Sequence, residues 1–347
     1  MKNLIAFSAD WLREEDCIHG AIQDRTMSVL VKFQHYIKDN KDELELVTGQ
    51  TFDEMVKSVN ACRTDIGTIL NAYLRGDQYI ALKSAKTLIE KMGTETAPAG
   101  IRLYKARKGE THYLFAAEEM FHIPFDHRDI IGNQRYSISG IPCLYLGSSS
   151  YICWEELGRV DFDMCNFCGY TNIHPIEVFD MSIPSSISSF ADIKRVCLIL
   201  ACSLSAKRDA MFKEEYILPQ NIFQALVLRH HYNHKVFCVK YISTHLLNGD
   251  ADCFECDYSE KEINRYYNYV FPAAESLKEG YSTRLKSYFT STKTIAMFRE
   301  KLLSVERLIS GGNDDAYLDS QFGLMDAMMD EKMGLAPIRK ETTYLTY

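Results

Sequence analysis

Apolar side chains recur at helical spacing through the first hundred residues, where no proline occurs before Pro98. One amphipathic helix is predicted over residues 17–37. A second begins at the capping-box sequence of residues 51–54, Thr-Phe-Asp-Glu, and runs to about Leu74. A third follows a capping Asp77 and stops at Gly93. The pattern therefore predicts an all-helical bundle over residues 1–97.

Shorter apolar runs, separated by Gly, Pro and Ser, replace this pattern in the middle of the chain. Residues 94–100, Thr-Glu-Thr-Ala-Pro-Ala-Gly, are the best linker candidate and mark a domain boundary. Residues 190–203 are apolar in a way that fits either a helix or a buried strand. The other elements follow from alternation and turn residues. Strands are predicted at residues 101–108, 143–146, 162–168, 176–181 and 236–242, and a helix is predicted at 220–231.

The pattern changes again beyond Pro272. Residues 285–308 are helical in spacing, Gly-Gly-Asn-Asp at 311–314 is a break, and residues 315–333 are acidic and rich in methionine. Methionines at helical spacing are typical of a packed core or of an adaptable partner surface. A helical extension is therefore predicted over residues 276–347, and the fold class of the whole chain is α+β.

Composition and charge exclude several classes of function. The net charge is −8 with a pI near 5.7, and no run of five Lys or Arg occurs, so nucleic acid is not an expected partner. No stretch approaches the roughly 20 apolar residues of a membrane span, so no membrane is expected. The 11 cysteines are an odd number and several lie in apolar runs, which suits reduced thiols in the cytoplasm.

The densest chemistry lies between Gly132 and Glu156, where Arg135 and Tyr145 are predicted on strands and Glu156 in the first turns of a helix. A guanidinium suits phosphate, an aromatic face can stack on a heterocycle, and a carboxylate can stabilise a sugar cation. The same residues also fit a surface ion pair, a core tyrosine and a glutamate favoured by the helix dipole. Spacing alone favours this second interpretation.

The motifs R-Y-S, G-x-P, L-Y-L and W-x-E in this stretch resemble the signature of RES-domain proteins. The resemblance places the family's arginine, tyrosine and glutamate on Arg135, Tyr145 and Glu156, with Glu155 as the alternative one place away. An upstream Y-R-x-R pattern falls on Arg107, with Lys105 in place of its first arginine. The family's serine falls on Ser243, between the helix start at Pro219-Gln220 and the element Asn268 to Pro272. The five elements span about half the chain and indicate a domain over residues 98–275.

RES-domain proteins are typically NAD-degrading toxins with a fold similar to ADP-ribosyltransferases. The resemblance therefore implies an enzyme that cleaves the nicotinamide–ribose bond of NAD by phosphorolysis or hydrolysis. Arg135 and Arg107 would hold the pyrophosphate, Tyr145 would stack on the nicotinamide or its ribose, and Glu156 would stabilise the oxocarbenium ion. Ser243 would position the nicotinamide or an acceptor. Protein ADP-ribosylation is the alternative enzymatic activity. A third hypothesis, from a different functional class, is a non-catalytic nucleotide sensor.

Such an activity would need restraint, so we expect an antitoxin or immunity protein, a homo-oligomer or a covering segment. The acidic C-terminal segment could cover an arginine-lined mouth, in which case deletion of residues 311–347 would raise activity. Residues 1–97 could be a regulatory or oligomerising module or a helical nuclease-like domain. They lack the closely spaced arginine and histidine of such nucleases, which favours a packing extension of the catalytic unit.

A competing site consists of two Cys-x-x-Cys pairs, Cys165 with Cys168 and Cys253 with Cys256, which have the spacing of zinc ligands. The long loop between the pairs and the high cysteine content favour coincidence, so no metal ligand is assigned and a structural zinc ion stays the weaker alternative. His122 and His127 are open as acid–base groups. Histidines 230, 231 and 234 are more simply explained by the dipole at a helix end than by a metal.

Overall fold

The computed structural model describes residues 3–90, 92–207, 209–231, 235–247, 249, 258, 260–296, 317, 318 and 320–333. Within these residues the chain is α+β, with N-terminal helices, a mixed sheet and a C-terminal helix, as predicted. The helices are α1 Leu4–Leu12, α2 Glu15–Ile18, α3 Ile22–Asp39, α4 Lys41–Thr48, α5 Phe52–Leu74, α6 Gln78–Glu90, α7 Ser150–Glu156, α8 Phe190–Cys202, α9 Ile217–His230, α10 Thr244–Leu247, α11 Glu260–Ile263, α12 Thr283–Tyr288 and α13 Gln321–Asp330. The strands are β1 Glu95–Ala97, β2 Arg102–Lys108, β3 Cys143–Gly147, β4 Cys165–Asn172, β5 Ile176–Met181, β6 Phe237–Ile242, β7 Tyr267–Pro272, β8 Phe289–Ser291 and β9 Ile295–Ala296.

Of the N-terminal helices, α5 and α6 begin where the sequence predicts. The helix predicted over residues 17–37 is divided into α2 and α3, and α1 and α4 were not predicted. The Thr51 hydroxyl accepts the Glu54 N–H and the Glu54 carboxylate accepts the Thr51 N–H, which is the capping box at the start of α5. Helices α3 and α5 contact α8, and α6 contacts α9. A buried ion pair between Arg25 of α3 and Glu215, just before α9, adds a polar link. These helices and one face of the sheet enclose a continuous core.

The strands that the described residues contribute form one mixed sheet in the order β1-β5-β6-β7-β3-β2-β4-β8, with β9 also paired to β4. Only β5 and β6 run parallel in it, and α8 and α9 lie in the crossover between them. This crossover explains why residues 190–203 form a helix: they are buried against other helices, not between strands. The opposite face of the sheet has a second core, with Phe121, Tyr170 and Phe289 at its centre.

Strands β2 and β3 pair at one position, Tyr104 with Gly147, and diverge beyond it. In contrast, β2 pairs with β4 over its whole length, and β3 pairs with β7 over its whole length. The sheet is therefore split between the second half of β2 and the first half of β3. This split positions the cavity described below.

Several element predictions are corrected. The predicted linker at 94–100 contains β1, which pairs with β5. The predicted helix at 285–308 is the short α12 followed by β8 and β9, and its part from residue 297 lies outside the described residues, as does the predicted break at 311–314. Residues 162–164 form a 3₁₀ turn before β4. The sheet thus includes strands from both sides of the predicted boundaries at residues 97 and 275. Within the described ranges, no helix is long and apolar enough to span a bilayer.

Candidate functional site

A cavity of about 290 Å³ opens in the split between β2 and β3. Helix α7 closes one side, and the loop between β2 and β3 supplies the opposite rim. The described lining residues are Lys105, Ala106, Ile123, Ile131, Gly132, Gln134, Ile141, Pro142, Cys143, Tyr145, Leu146, Gly147, Cys153, Glu156, Leu157, Tyr241 and Asn268.

Glu156 ends α7 and presents its carboxylate to this cavity, with 37% of the side chain exposed. Its Oε1 accepts a hydrogen bond from the Ser243 hydroxyl at 2.7 Å and one from the Asn268 amide at 2.6 Å. His245 Nε2 lies 3.8 Å from Oε2. Two donors on one oxygen fix the carboxylate's orientation, and hydrogen bonds to a charged group are the stronger kind.

The backbone around Ser243 determines which way its hydroxyl points. Ser243 follows β6 and precedes α10, and its Oγ accepts the His245 N–H at 3.2 Å. The Ser243 N–H donates to the Tyr266 carbonyl, and the residue is fully buried. The Ser243 hydroxyl oxygen uses a lone pair to accept the N–H at the start of α10. Its hydrogen is not used in that bond and is donated to Glu156. Ser243 therefore contacts Glu156 directly.

Asn268 is held between two neighbouring strands. It pairs with Tyr241 of β6 on one side and with Gly147 of β3 on the other. Residues that pair across adjacent strands share a face, so the three positions form a row that faces α7. A central strand keeps the Asn268 amide at a constant position relative to Glu156.

Tyr145 and Tyr241 form an aromatic wall of the cavity. The Tyr145 hydroxyl donates to the Tyr136 carbonyl at 3.0 Å, and the Tyr136 ring lies 4.7 Å from the Tyr241 ring, centre to centre. Burial raises the pKa of Tyr145 and of Tyr241 well above the usual range, so both phenols stay neutral. The wall therefore presents neutral rings to a ligand, and the contacts with Tyr136 hold these rings in position.

Local sequence explains why α7 lies against the end of β3. The Ser149 hydroxyl accepts the Ile152 N–H and starts the helix. Gly147 then allows close contact, since a Cβ there would lie 2.6 Å from an Ile152 methyl and 2.7 Å from the Cys153 sulfur. The glycine therefore determines how near α7, and hence Glu156, approaches the sheet.

Arg135 does not line the cavity. It lies in a turn, not on the predicted strand, and is 7% exposed. Its two terminal nitrogens donate to the carbonyls of Cys202 and Leu204 at 2.7 and 3.0 Å, and its guanidinium lies over the Tyr216 ring. In this arrangement Arg135 caps the C-terminal end of α8, where free carbonyls favour a cation.

Arg107 also lies away from the cavity, and Lys105 takes its place there. The Arg107 guanidinium lies 4.2 Å from the centre of the Phe115 ring and donates to the Glu119 carbonyl. Lys105, two residues earlier on the same face of β2, lines the cavity and donates to the Phe121 carbonyl. Two residues along a strand are roughly 7 Å apart, which is enough to separate the two cations.

Glu155 and Glu156 are separated by their contacts. The Glu155 carboxylate is 2% exposed and pairs with Arg159 through both oxygens, at 3.0 and 2.9 Å. The Glu155 carboxylate is therefore paired with a residue just beyond the end of α7, whereas the Glu156 carboxylate faces the cavity. This is the assignment that the motif spacing favours.

The remaining sequence candidates lie outside the cavity wall. The ring nitrogens of His122 contact the Ile123 carbonyl and the Ser282 N–H, and burial lowers its pKa to about 4, so it is neutral and structural. His127 is 60% exposed and lies beside Asp126. His230 bonds Glu177. His231 is described but does not line the cavity, and His234 lies outside the described residues.

The first Cys-x-x-Cys pair does not form a chelate. Cys165 and Cys168 lie three residues apart on β4, so their side chains point to opposite faces of the sheet. Cys165 belongs to the core under the helices, and Cys168 belongs to the core on the other side. Cys253 and Cys256 lie outside the described residues. Cys165 and Cys168 therefore do not offer their two thiolates to one metal ion.

Sequence reasoning missed two residues of the site, Tyr241 and His245, and the roles of two more, Asn268 and Gln220. Asn268 was part of a recognised element but had no assigned role, and His245 follows Ser243 by two places. Tyr241 carried no signal beyond its strand. Gln220 at the start of α9 donates to the Gln134 carbonyl at 2.8 Å and so holds the loop that forms the cavity rim.

The described part of the C-terminal segment packs behind α7 and does not line the cavity. The Asp326 carboxylate accepts the Ser150 N–H at 3.0 Å, and Phe322 packs between the rings of Tyr151 and Trp154. Asp330 accepts the Tyr104 hydroxyl. Helix α13 therefore supports the helix that carries Glu156.

Comparison with known proteins finds similarity to a bacterial protein described as "Putative toxin YopC" from Bacillus subtilis (strain 168), 25% identical over 305 residues. The match covers 80% of this chain and 65% of that protein, so the chain spans less than two thirds of the relative's length. Among solved structures, a chain of the M. tuberculosis MbcT–MbcA toxin–antitoxin complex aligns over 62% of this chain and 93% of its own length, with 12% identity and a TM-score of 0.30. No protein-family model matches the chain.

Proposed function

We propose that this protein is a toxin enzyme that consumes NAD by cleaving the bond between nicotinamide and ribose. The observation that carries the proposal is the Glu156 carboxylate, fixed by Ser243 and Asn268 in a cavity with a wall of neutral aromatic rings. A flat pyridinium ring fits such a wall, and a fixed carboxylate suits the positive charge that develops on the adjoining ribose.

The chemistry requires little beyond charge stabilisation. When the bond from C1′ of the ribose to the pyridinium nitrogen breaks, its electron pair goes to nitrogen and nicotinamide leaves neutral, so no acid is needed. The remaining oxocarbenium ion is stabilised by Glu156, whose hydrogen bonds to Ser243 and Asn268 already hold it in position. The oxygen of water or phosphate then bonds to C1′, and any proton that it carries passes to solvent.

Similarity to YopC, a protein described as a putative toxin, supports the toxin part of the proposal. Loss of NAD stops metabolism, so a cell that makes this enzyme must restrain it. We therefore expect cytoplasmic action and an antitoxin or immunity partner. Induced expression without a partner should arrest growth while cellular NAD falls, and growth arrest at constant NAD would contradict the proposal.

The deciding experiment is incubation of the purified protein with NAD, with and without inorganic phosphate, with product masses measured. Nicotinamide release is the expected result. ADP-ribose in phosphate-free buffer identifies a hydrolase, a phosphorylated ADP-ribose formed only with phosphate identifies a phosphorylase, and mass added to protein identifies a transferase. Calorimetric binding of NAD without nicotinamide release would replace the proposal by a nucleotide-sensing function.

The carboxylate itself is tested by Glu156→Gln, which keeps the shape and removes the charge. We expect nicotinamide release to fall by about 10²-fold or more, the magnitude typical of losing a fixed electrostatic contact to a transition state. Glu155→Gln is the matched control, because that neighbour pairs with Arg159 outside the cavity. Equal losses in both variants would assign the effect to α7 as a whole and not to the Glu156 charge.

A further inference from the structure

Two arginines from different parts of the chain hold the connection between α8 and α9. Arg25 of α3 is buried, donates to the Ser205 carbonyl at 2.6 Å and pairs with the buried Glu215 carboxylate. Ser205 lies near the start of the connection and Glu215 near its end, so one guanidinium joins the two. Its remaining nitrogen donates to the Cys17 carbonyl of α2 at 3.0 Å. The N-terminal helices therefore fix both ends of the connection.

Arg135 joins the same two ends through neighbouring residues. It donates to the carbonyl of Leu204, the residue before Ser205, at 3.0 Å. Its guanidinium carbon lies 5.1 Å from the centre of the ring of Tyr216, the residue after Glu215. Consecutive residues are linked by a planar peptide unit of fixed length, so a shift at one residue moves its neighbour. The contacts of Arg25 therefore determine where Arg135 finds its own partners.

Arg135 lies between two residues that shape the cavity. Gln134, before it, lines the cavity, and the Tyr136 carbonyl, after it, accepts the Tyr145 hydroxyl. The Tyr136 ring also packs on the ring of Tyr241. A displaced Arg135 would therefore move both the rim of the cavity and the support of its aromatic wall.

A second route from Arg25 to the rim runs through the start of α9. Gln220 lies in the first turn of this helix, five residues after Glu215, and donates to the Gln134 carbonyl at 2.8 Å. The ion pair that fixes Glu215 therefore also fixes the helix turn that holds the rim.

We propose that Arg25 is a positioning residue for ligand binding, so that the N-terminal helices are a functional part of the NAD site. The inference rests on the proposed function for the identity of the ligand and goes beyond it by giving these helices a role. Arg25 touches neither the ligand nor the bond to be cleaved. Glu156 receives its hydrogen bonds from Ser243 and Asn268, which lie outside the connection. Loss of Arg25 should therefore weaken binding and leave the turnover of bound NAD nearly unchanged.

The test variant removes both charges of the pair, as Arg25→Met with Glu215→Met. A single change would leave one charge buried without a partner, whereas replacement of a buried pair by apolar residues of similar volume usually preserves the fold. We expect the KM for NAD and the calorimetric Kd for ADP-ribose to rise about tenfold, the loss equivalent to one hydrogen bond to a charged group. The kcat should stay within about twofold. Urea unfolding checks that the variant is folded in the assay.

Lys32→Met is the matched control, because Lys32 is also an ion-paired cation of α3. Its partners are the half-exposed carboxylates of Glu14 and Asp16, which lie away from the connection. This change should alter neither KM nor kcat. Arg25→Lys provides a second variant if the double one does not fold, since it keeps a charge opposite Glu215 but replaces the planar fork by one ammonium. It should also raise KM and leave kcat unchanged.

Coupling between the two arginines tests the route itself. Arg135→Met should weaken ADP-ribose binding as well. If both side chains act through one connection, the combination of all three changes should bind about as weakly as the weaker parent variant, so the losses do not multiply. Losses that multiply, an unchanged KM in folded Arg25 variants, or a fall in kcat as large as the rise in KM would each overturn the inference.

The outcomes also distinguish this inference from the proposed function. Nicotinamide release with a wild-type KM in the Arg25 variants would refute the inference alone. Binding of ADP-ribose that depends on Arg25, without any cleavage of NAD, would refute the enzymatic proposal alone. Failure of wild type to bind ADP-ribose at millimolar concentration would overturn both.

Discussion

At the scale of single residues, the site depends on which atom donates each hydrogen. The Asn268 amide and the Ser243 hydroxyl both donate to one oxygen of Glu156. Neither donor touches the reacting bond in our proposal, so both are positioning residues. Their contribution is to keep a carboxylate in one orientation while charge develops next to it.

Replacement of the amide by a carboxylate tests this role without changing the shape of the side chain. In Asn268→Asp, two carboxylates face each other, and we expect nicotinamide release at pH 7.5 to fall roughly ten- to a hundredfold through loss of a charged hydrogen bond. One carboxyl of such a pair takes up a proton as pH falls and can then donate again. The deficit relative to wild type should therefore shrink towards pH 5.

The measurement is a pH profile of nicotinamide release for both proteins. Asn71→Asp, an exposed change on α5, controls for added charge. A deficit in Asn268→Asp that is constant with pH would indicate a packing defect instead.

The sequence predicted part of this arrangement and missed part of it, for a physical reason. Motif spacing predicted that Tyr145, Glu156 and Ser243 lie close together, because each lies within or directly after a strand or helix whose direction the pattern predicts. The long side chains of Arg135 and Arg107 behave differently. Their ends go to carbonyl acceptors on segments that are distant or irregular, and no local pattern shows where those carbonyls are.

At the scale of elements, the contact between β3 and α7 sets the position of the Glu156 carboxylate. Gly147 makes it possible, because any larger residue would meet Ile152 and Cys153. The helix is short, and Glu156 is its last residue. A small displacement at its start would therefore move the carboxylate away from Ser243 and Asn268.

Addition of one methyl group at this contact should be costly. We expect Gly147→Ala to lower the free energy of unfolding by about 1–3 kcal/mol through overpacking, and to lower nicotinamide release as well. Gly67→Ala in the middle of α5 is the control, since no atom lies within 4 Å of the added carbon. That control should be neutral or stabilising by up to about 1 kcal/mol. Urea unfolding measures both, and an unaffected Gly147→Ala would contradict the close contact.

Predictions of helices and strands were correct where one local sequence pattern dominated. They were wrong where pairing with a distant strand decided the secondary structure. The capping box at Thr51 and the short apolar run at residues 176–181 are local signals, and the predicted helix start and strand are both found in the structure. Residues 95–97 have a loop-like composition, yet they become a strand because the edge of β5 offers free backbone groups. Residues 289–291 have a helical pattern, yet they pair with β4.

At the scale of the whole molecule, α13 packs against α7, although the two helices are far apart in the sequence. Phe322 lies between Tyr151 and Trp154, and Asp326 accepts from the first turn of α7. The sequence indicated a methionine-bearing helix here but could not say which surface it covers. The surface is the back of α7, the helix that carries Glu156.

Removal of residues 317–347 should therefore lower nicotinamide release and the unfolding temperature, the opposite of the effect expected if this segment covered the cavity mouth. The reason is that α7 would lose the aromatic ring and the carboxylate that support it. Removal of residues 334–347 alone leaves α13 intact and is the control. Faster turnover in the longer deletion, with unchanged unfolding, would restore the covering role.

The same helix predicts how stability varies with pH. Burial raises the pKa of Asp326 to about 7, well above its value of 3.8 in the unfolded chain. The folded protein therefore holds a proton that the unfolded chain releases, so this group's contribution to stability falls as pH rises from about 4 to 7 and is constant above that.

Asp326→Asn removes the titration. We compare the free energy of unfolding of Asp326→Asn with that of wild type at each pH. From pH 4.5 to pH 7.5 this difference should change by more than about 1 kcal/mol in favour of the variant, since one pKa unit corresponds to 1.36 kcal/mol. Urea unfolding of both proteins at several pH values measures the difference. Parallel pH curves would show that Asp326 does not titrate in this range.

The order of synthesis gives the position of α13 a further consequence. Ser150 and Asp326 are 176 residues apart in the chain, and α13 follows all the described residues that line the cavity. A nascent chain on the ribosome would therefore contain the cavity walls before it contained the support behind Glu156. We expect the proposed activity to appear only after α13 has been made, which leaves time for an inhibitor to bind to the growing chain.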